Sequence, residues 1–500
     1  MLISLPKGFS YSKFLYLAIL MILATFSTKL AARLGVPGMI VFLLLGMIFG
    51  SDGLNLVQFN DPVLAQQISF ILLIFILFEG GFSTKKKLLE VAFRPAFSMA
   101  TVGIVITAVT LGVTSHLILG LDILSTLLLG SIIASTDAAA VFALFRNKNI
   151  QPRTAATLEI ESASNDPAAI ILTVAMIDLI LGKVATPLLF FVNLGWQIVA
   201  GIGIGYLIGK VGPYLFNKAK LNTGGFYYVL ILSMCFLGYG LADVIKGNGF
   251  LAVFMAGFWM GNSEFVFKQG ITRFLEGIAA FCNVMLFLML GLLVFPSEIL
   301  TFWKQGVIIA LLIIFVARPI AVFASTVFWK YSFKERLFLC WGGIKGSVPI
   351  VLATYPYVAG IDNGNFYFNI VFFVVIISAL IQGSTIDLLA EKLGLLVKKK
   401  PYSPYSLELL TLEESQCELL EYDVKKDSCL IDKQLHEIPL PKDSLINAIV
   451  RKNEIITPRG DTTIKGRDIL FILVKYEDKD DLLTILEEGC LDENKQTEQS

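Results

Sequence analysis

The sequence predicts an all-α polytopic membrane protein of about thirteen transmembrane helices, followed by a small α+β cytoplasmic domain at the C-terminus. Three observations support this fold class. The chain of 500 residues is 56% hydrophobic and only 16% charged. Apolar stretches of about 20 residues recur through its first four hundred residues. Charged residues then become frequent beyond residue 398. Soluble domains are about 45–50% apolar, so most of this chain must lie in lipid.

Each predicted span is an apolar stretch that can cross about 30 Å of hydrocarbon. The first span follows Lys7 and Lys13. It is long and lacks a small-residue cleavage site, so we expect a retained helix rather than a cleaved signal peptide. The short second and ninth spans carry the weakest signal. The spans lie near residues 12–33, 36–50, 63–82, 94–119, 122–145, 154–182, 188–210, 223–245, 249–262, 272–294, 305–328, 336–356 and 366–391.

Basic residues in the connecting segments alternate between two sets of loops. Cytoplasmic loops of membrane proteins carry an excess of Lys and Arg. The poorer set holds only Lys7, Lys13, Lys183, Lys246 and Lys304. The alternation therefore predicts an external N-terminus and a cytoplasmic C-terminus. The richer set comprises Lys29, Arg33, Lys85, Lys86, Lys87, Arg94, Arg146, Lys148, Arg153, Lys218, Lys220, Lys268, Arg273, Lys330, Lys334, Arg336, Lys392, Lys398, Lys399 and Lys400.

Composition also argues against several classes of function. The formal net charge is zero, whereas nucleic-acid binding needs clustered Lys and Arg, so no nucleic-acid partner is expected. The six cysteines have no CxxC spacing and there are only two histidines, which predicts neither a disulfide framework nor a zinc site. Sequences of the GxSxG, HExxH or Walker type are missing, so we expect no enzyme and no cofactor.

The C-terminal region changes character at Lys398-Lys399-Lys400-Pro401. We predict a transmembrane domain over 1–397, a linker over 398–410, a regulatory domain over 411–490 and a polar tail over 491–500. Alternating residues predict a strand from Cys417 to Val424. Further strands are expected at 445–450, 455–456 and 469–474, followed by a helix near 478–488. The strands at 445–450 and 455–456 are expected to form a hairpin.

Six charged residues stand out within the predicted spans, because a charge in the bilayer core costs at least about 2.5 kcal/mol and is a functional candidate. Asp166 lies twelve residues after Thr154, or roughly 18 Å along a helix, which is near the midplane. Ser162 shares its helix face, while Glu161 and Asn165 share the adjoining face. These six candidates are Glu79, Asp137, Glu161, Asp166, Arg318 and Lys345.

Pro167 follows Asp166 directly and lacks an N–H group, so the Ala163 carbonyl loses its helical donor. A freed carbonyl beside a carboxylate and the Ser162 hydroxyl forms a group of hard oxygens suited to an alkali cation. We therefore predict that Asp166 and Ser162 contact a transported metal ion. The alternative is a buried aspartate that serves only packing.

Two spans have the composition of interrupted helices. Span five contains a run of small residues from Gly130 to Ala140, and span twelve contains Gly342-Gly343-Ile344-Lys345-Gly346. They are the fifth helices of spans one to six and eight to thirteen, which predicts an inverted repeat with the site between the two breaks. Asp137 and Lys345 would then balance the dipoles of opposite half-helix ends. Glycines used only for tight helix packing are the alternative.

Two other charges need a role. Arg318 lies in the middle of span eleven, and we predict that it pairs with Glu161 and leaves Asp166 free to exchange protons. Glu79 lies near the cytoplasmic end of span three, where it is either a cation ligand or an interfacial charge.

Several of these motifs together resemble one transporter family. Glu161-Ser162-Ala163-Ser164-Asn165-Asp166-Pro167, Ser135-Thr136-Asp137, Ala317-Arg318 and Gly342 to Gly346 resemble the monovalent cation:proton antiporter-1 family, NhaP/NHE branch. The resemblance covers spans three to thirteen. The tail resembles an RCK C-terminal (TrkA-C) domain through 445–451, 457–462 and 466–468. That tail, with Ala138 where many relatives have Pro, is similar to the bacterial potassium/proton subgroup.

The resemblance implies a role for each candidate. Asp166 would be the cation and proton carboxylate, with Ser162, the Thr136 backbone and Glu79 as further ligands. Asn165, Glu161 and Arg318 would form the family's structural polar cluster. It also implies a homodimer in the inner membrane, in which a core bundle moves against a dimerisation domain. A small cytoplasmic ligand would bind the C-terminal domain.

The expected activity is exchange of a monovalent cation for protons. A charged, unpaired carboxylate at the midplane is costly, so it would hold either a proton or a cation. Because Asn165 cannot carry a second proton, we predict electroneutral one-for-one exchange. The tail favours K⁺ over Na⁺, with a Na⁺/H⁺ antiporter as the alternative. A cation channel gated by the C-terminal domain is the rival from another class, but a filter sequence is lacking.

Overall fold

The computed structural model describes residues 11–137, 141, 149–183, 186–221, 223–361, 363–397, 417–424, 428, 430–442, 444–451, 454–475 and 478–488. The chain divides into two compact units, Met1–Lys398 and Lys399–Ser500. The predicted linker over 398–410, the predicted tail over 491–500, Ala138, and the basic loop residues Arg146 and Lys148 lie outside the described residues.

The first unit is built almost entirely of apolar helices. Its first part contains α1 (Tyr11–Leu34), α2 (Gly38–Phe49), α3 (Pro62–Ser83), α4 (Lys86–Ser98), α5 (Ile104–Leu119), α6 (Ile123–Ile133) and α7 (Pro152–Ile180). Its second part begins with α8 (Pro187–Ala219), α9 (Gly224–Val244), α10 (Gly249–Gly261), α11 (Lys268–Leu292), α12 (Pro296–Ile299) and α13 (Trp303–Leu312). It ends with α14 (Arg318–Ser325), α15 (Phe333–Trp341), α16 (Ser347–Leu352), α17 (Thr354–Val358), α18 (Gly364–Ser378) and α19 (Ser384–Leu393).

Eight of the described helical segments are long and apolar enough to cross a membrane, and five shorter apolar helices accompany them. Every predicted span has a helix at the corresponding place in the chain. The outer surface is rich in large apolar side chains, including Leu117, Leu188, Val244 and Phe328, each more than 70% exposed. Such apolar side chains are compatible with the hydrocarbon core of a membrane, and helices satisfy the backbone N–H and C=O groups by internal hydrogen bonds.

Three of the long segments contain a π-helical turn. The turn Met99–Gly103 joins α4 to α5, Ile313–Ala317 joins α13 to α14, and Ala379–Gly383 joins α18 to α19. The first two segments pack together, and the Ser98 hydroxyl donates a hydrogen bond of 3.0 Å to the Ser325 carbonyl. A π turn inserts an extra residue into the helix and often marks a functional region.

Two helices are interrupted inside the unit, as the small-residue runs predict. Helix α6 stops at Ile133 and the chain is not helical over 135–137. Helix α15 stops at Trp341, and the chain unwinds until α16 starts at Ser347. The predicted span 336–356 is thus three short helices, because the backbone unwinds over the glycine-rich segment between α15 and α16 and turns again at Ala353 between α16 and α17. Strands β1 (Asn149–Ile150) and β2 (Leu396–Val397) pair antiparallel in the same unit.

The second unit is a small α+β domain, as expected. Strands β3 (Cys417–Asp423), β4 (Leu445–Arg451), β5 (Glu454–Ile456) and β6 (Ile469–Lys475) form a sheet in the order β3-β6-β4-β5, and α20 spans Lys479–Glu488. All three pairings are antiparallel. The predicted hairpin is the β4–β5 pair. Buried apolar side chains from β4, β6 and α20, such as Ile449, Leu470 and Leu482, form its core.

Candidate functional site

The two helix interruptions meet in the middle of the first unit. The Asp137 backbone N–H donates to the Ile344 carbonyl at 2.7 Å. Lys345 is 1% exposed, and its Nζ donates to the Ala134 and Ser135 carbonyls at 3.2 and 3.0 Å. Those carbonyls follow the C-terminal end of α6, where the helix dipole favours a positive charge. Lys345 thus lies at the helix end whose dipole it would balance, and that role stays a prediction.

Asp137 lies against the start of α16. A Cβ atom at Gly346 would approach the Asp137 Cβ to 2.6 Å and its Oδ2 to 2.7 Å. Glycine at this position therefore lets the Asp137 side chain approach the unwound backbone. The structure brings Asp137 and Lys345 to the same crossing from two different interrupted helices.

Helix α7 supplies the polar side chains that cover the first break. The Ser162 hydroxyl donates to the Thr136 carbonyl at 2.8 Å. The Asn165 amide donates to the Thr136 hydroxyl at 2.6 Å and accepts from the Thr136 N–H at 3.3 Å. Backbone groups buried in a membrane must find such partners. Ser162 and Asn165 therefore hold the non-helical segment around Thr136.

Asp166 lies at the midpoint of α7. The helix has 29 residues from Pro152 to Ile180, so Asp166 is fourteen residues, or about 21 Å, from either end. It lines a cavity of about 800 Å³ together with Thr136, Asp137, Ser162 and Ala163. The cavity is thus lined by two carboxylates, two hydroxyl-bearing residues and Ala163, whose carbonyl Pro167 leaves without a helical donor.

Ser135 is a member of this group that the sequence reasoning missed. It is fully buried and close enough to the Asp166 carboxylate to interact with it. Its hydroxyl nevertheless makes no hydrogen bond of normal geometry within the described residues. A buried hydroxyl without a partner is costly, and a bound cation or water would satisfy it. Its position two residues before Asp137 is the sequence signal that could have identified Ser135 as a site residue.

The predicted pair of Glu161 and Arg318 is present beside this site. Nη1 and Nη2 of Arg318 donate to the two carboxylate oxygens of Glu161. Nη2 also donates at 3.1 Å to the Leu339 carbonyl, near the end of α15. The side chain packs against Gly343, where an added Cβ would overlap the guanidinium. The pair therefore ties α7 and α14 to the second interruption.

Two further carboxylates line the same cavity at other positions. Glu79 accepts a hydrogen bond of 2.6 Å from the Ser83 hydroxyl, and it lies on the wall rather than at the crossing. Glu159, also on the wall, was not predicted. It precedes Asp166 by seven residues, or two helical turns, so the spacing could have placed both on one face. Acidic walls attract cations and raise their local concentration.

Comparison with known proteins supports the same interpretation of the chain. The family model described as sodium/hydrogen exchanger, transmembrane, matches residues 18–392, and the TrkA-C domain model matches residues 419–486. The chain is 35% identical over 475 residues to the K⁺/H⁺ antiporter NhaP of Alkalimonas amylolytica, covering 94% of this chain and 83% of that protein. It is 36% identical over 472 residues to the K⁺/H⁺ antiporter NhaP2 of Shewanella sp. strain MR-4, covering 92% and 81%.

A solved structure has the same fold. The sodium proton antiporter MjNhaP1 from Methanocaldococcus jannaschii matches with a TM-score of 0.68 at 24% identity, covering 76% of this chain and 99% of that one. The family model covers most of the membrane unit, and the TrkA-C match falls within the second unit. The chain therefore belongs to the sodium/hydrogen exchanger family of cation/proton antiporters, which are transporters rather than enzymes, and carries a TrkA-C domain.

Proposed function

We propose that this antiporter exchanges K⁺ for H⁺ one for one at a single site centred on Asp166. The observation that carries the proposal is one carboxylate at the midpoint of a membrane helix, open to a large cavity and surrounded by oxygen donors. Transporter sites are typically found at this depth, beside interrupted helices. The transported ion would contact Asp166 and Ser162, with the Thr136 backbone as a further ligand.

Competition at one carboxylate explains coupling. A charged Asp166 without a counter-ion is unfavourable at this depth, so it holds either a cation or a proton. Ser162 and Ser135 offer hydroxyl oxygens to a cation, which prefers hard ligands. Glu79 and Glu159 line the approach, where Glu79 serves as an outer ligand. Each exposure of the site to one side then exchanges one ion for the other.

Electroneutrality follows from the chemistry of Asn165. Its amide cannot bind a second proton, and both of its polar atoms are engaged with Thr136. One cation therefore replaces one proton, and no net charge crosses the membrane. The K⁺ preference is supported by the relatives named as K⁺/H⁺ antiporters, which match most of this chain.

The wider arrangement is proposed on the same basis. Eight long and five shorter apolar helices support thirteen spans. The breaks that follow α6 and α15 support an inverted repeat around the site. We place a transmembrane domain at 1–397, a linker at 398–410, a regulatory domain at 411–490 and a tail at 491–500. The protein would be a homodimer in the bacterial inner membrane, with its N-terminus outside and a small ligand regulating the cytoplasmic domain.

Purified protein in liposomes tests the activity. An internal pH dye should report dissipation of an imposed pH gradient when external K⁺ is added, with a smaller response to Na⁺. Asp166→Asn should abolish the response without preventing insertion, because the shared carboxylate is lost. Asp178→Asn is the matched control: it lies on the same helix in a surface pair with Lys183, and it should transport normally. Proton-coupled flux retained by Asp166→Asn would sink the assignment.

Stoichiometry needs a second measurement in the same liposomes. A membrane potential set by valinomycin or by a membrane-permeant anion should leave the initial exchange rate unchanged if one charge replaces one charge. A rate that rises or falls steeply with the imposed potential would reject electroneutral exchange but not antiport itself.

A further inference from the structure

Helix α18 and its continuation present a row of polar side chains to the second interruption. Ser378, Gln382 and Thr385 are spaced four and three residues apart, on one side of the helix. Ser378 and Gln382 are 0% and 1% exposed, and Gln382 lies within the π turn Ala379–Gly383. None of the three side chains has a part in the exchange mechanism proposed above.

These side chains form a continuous hydrogen-bonded connection across the break. The Lys345 backbone N–H donates to the Ser378 hydroxyl at 3.2 Å. That hydroxyl donates to the Gln382 Oε1 at 2.6 Å. The Gln382 Nε2 then donates to the Trp341 carbonyl at 3.0 Å. At the same interruption, the Thr385 hydroxyl accepts a hydrogen bond of 2.8 Å from Nε1 of Trp341.

The two backbone groups at the ends of this connection are significant. In an uninterrupted α-helix the N–H of residue i donates to the carbonyl of residue i−4, so Lys345 N–H and Trp341 carbonyl would bond directly to each other. Here the hydroxyl and the amide are inserted between them. Side chains inserted into the helical ladder are a known cause of sharp kinks. The inserted pair satisfies both groups in a buried environment while holding them apart.

We propose that Ser378 and Gln382 form a bridge that holds the interruption between Trp341 and Lys345 open and so positions the ion site. The bridge fixes the Lys345 backbone, and the Lys345 side chain in turn donates to the Ala134 and Ser135 carbonyls. Ser135 and Thr136 are next to Asp166 in the site. Ser378 and Gln382 are therefore positioning residues that do not touch the transported ion.

The other interruption has a related arrangement. There, Ser162 and Asn165 of α7 bond the Thr136 backbone and side chain. In both places a serine and a carboxamide one helical turn apart satisfy the polar groups of a broken helix. The bridge thus gives the second break the kind of support that α7 gives the first.

Two variants and two controls test the bridge. Ser378→Ala removes one hydroxyl and little volume, and Gln382→Leu keeps the side-chain size but removes both polar atoms. Ser378→Thr keeps a hydroxyl and should restore the wild-type behaviour. Ser384→Ala is the matched control: its hydroxyl donates to the carbonyl of Leu380, within the same continuous helical segment, so it should behave as wild type.

Hydrogen exchange of the full-length protein reports the bridge directly. The amide of Lys345 should exchange about tenfold faster in Ser378→Ala and Gln382→Leu than in Ser384→Ala, because its acceptor is lost or released. Unchanged exchange at Lys345 would overturn the proposal. If Gln382→Leu fails to fold, Ser378→Ala still decides, since it removes only one oxygen.

Transport in liposomes tests the consequence for the site, and this part depends on the proposed cation/proton exchange. Among correctly folded molecules, the KM for the cation should rise about tenfold in both variants and return in Ser378→Thr, because a misplaced site binds its ion poorly. Faster exchange at Lys345 with an unchanged KM would show a structural role alone and reject positioning. Absence of cation-driven proton flux in the wild type would instead reject the proposed function, leaving hydrogen exchange to decide the bridge.

Discussion

Replacing Arg318 by Met tests the energetic role of the pair that ties α7 to α14. The guanidinium donates twice to the Glu161 carboxylate and once to the Leu339 carbonyl. Glu161 and Arg318 are 1% and 5% exposed. A methionine fills much of the same space but cannot donate. The variant therefore leaves Glu161 as a buried carboxylate without its cation and removes one donor from the Leu339 carbonyl.

The expected cost follows from this burial. Removing one partner of a buried ion pair costs about 3–5 kcal/mol, since the remaining charge is uncompensated. A loss of about 3 kcal/mol lowers the ratio of folded to unfolded protein on the order of a hundredfold. The double variant Glu161→Leu/Arg318→Met should recover much of this loss, because replacing both charges by apolar groups removes the uncompensated carboxylate.

Unfolding of the purified protein in detergent, followed by tryptophan fluorescence and by size exclusion, measures the difference. Lys183→Met is the control, because Lys183 and Asp178 form a surface pair at 3.6 Å with side chains 63% and 40% exposed. Such pairs contribute about 0–1 kcal/mol. The reasoning is refuted if Arg318→Met loses no more stability than Lys183→Met, or if the double variant is as unstable as the single one.

Three further outcomes are expected. Gly81→Ala should reduce the yield of monodisperse protein, because the added Cβ would overlap the backbone of α10. Gly80→Ala is the control and should purify normally, because Gly80 has open space around it; equal yields of the two variants would contradict this packing. Asp468→Asn should lower the stability of the second unit by about 3 kcal/mol, because two Arg451 nitrogens donate to the Asp468 carboxylate. Faster hydrogen exchange in β4 and β6 would report the loss, and protection equal to wild type would count against it. Ser135→Ala should raise the KM for the cation several-fold in liposomes, because an oxygen ligand near Asp166 is lost. The unfolding temperature should change little, and a wild-type KM would exclude Ser135 as a ligand.

The charged residues were the most predictable part of the site. A charge in lipid needs a partner, so Arg318 could be assigned to Glu161 from the sequence alone. Helix spacing placed Ser162 beside Asp166, and both line the cavity. The two interruptions followed from runs of small residues. These inferences succeeded because the cost of a buried charge and the period of a helix act locally in the sequence.

Other features depend on contacts that sequence spacing does not contain. The π turn at Ile313–Ala317 has no distinctive residue composition in the sequence, and it packs against α5. Gln382 is a single polar residue in an apolar helix, and its partner Trp341 is 41 positions away. Glu159 was missed although its spacing of seven residues from Asp166 places both on one helix face. The roles of Asp166, Thr136 and Glu79 in transport remain predictions.

The bonds from Lys345 to the carbonyls of Ala134 and Ser135 join positions 211 and 210 residues apart. Residues from two distant parts of the membrane unit are therefore both needed to build the site. If the gene were split between the coding regions of α7 and α8, one fragment would carry Asp166 and the end of α6, and the other would carry Lys345, whose side chain caps that end. Cells producing either fragment alone should lack exchange, and producing both should allow genetic complementation.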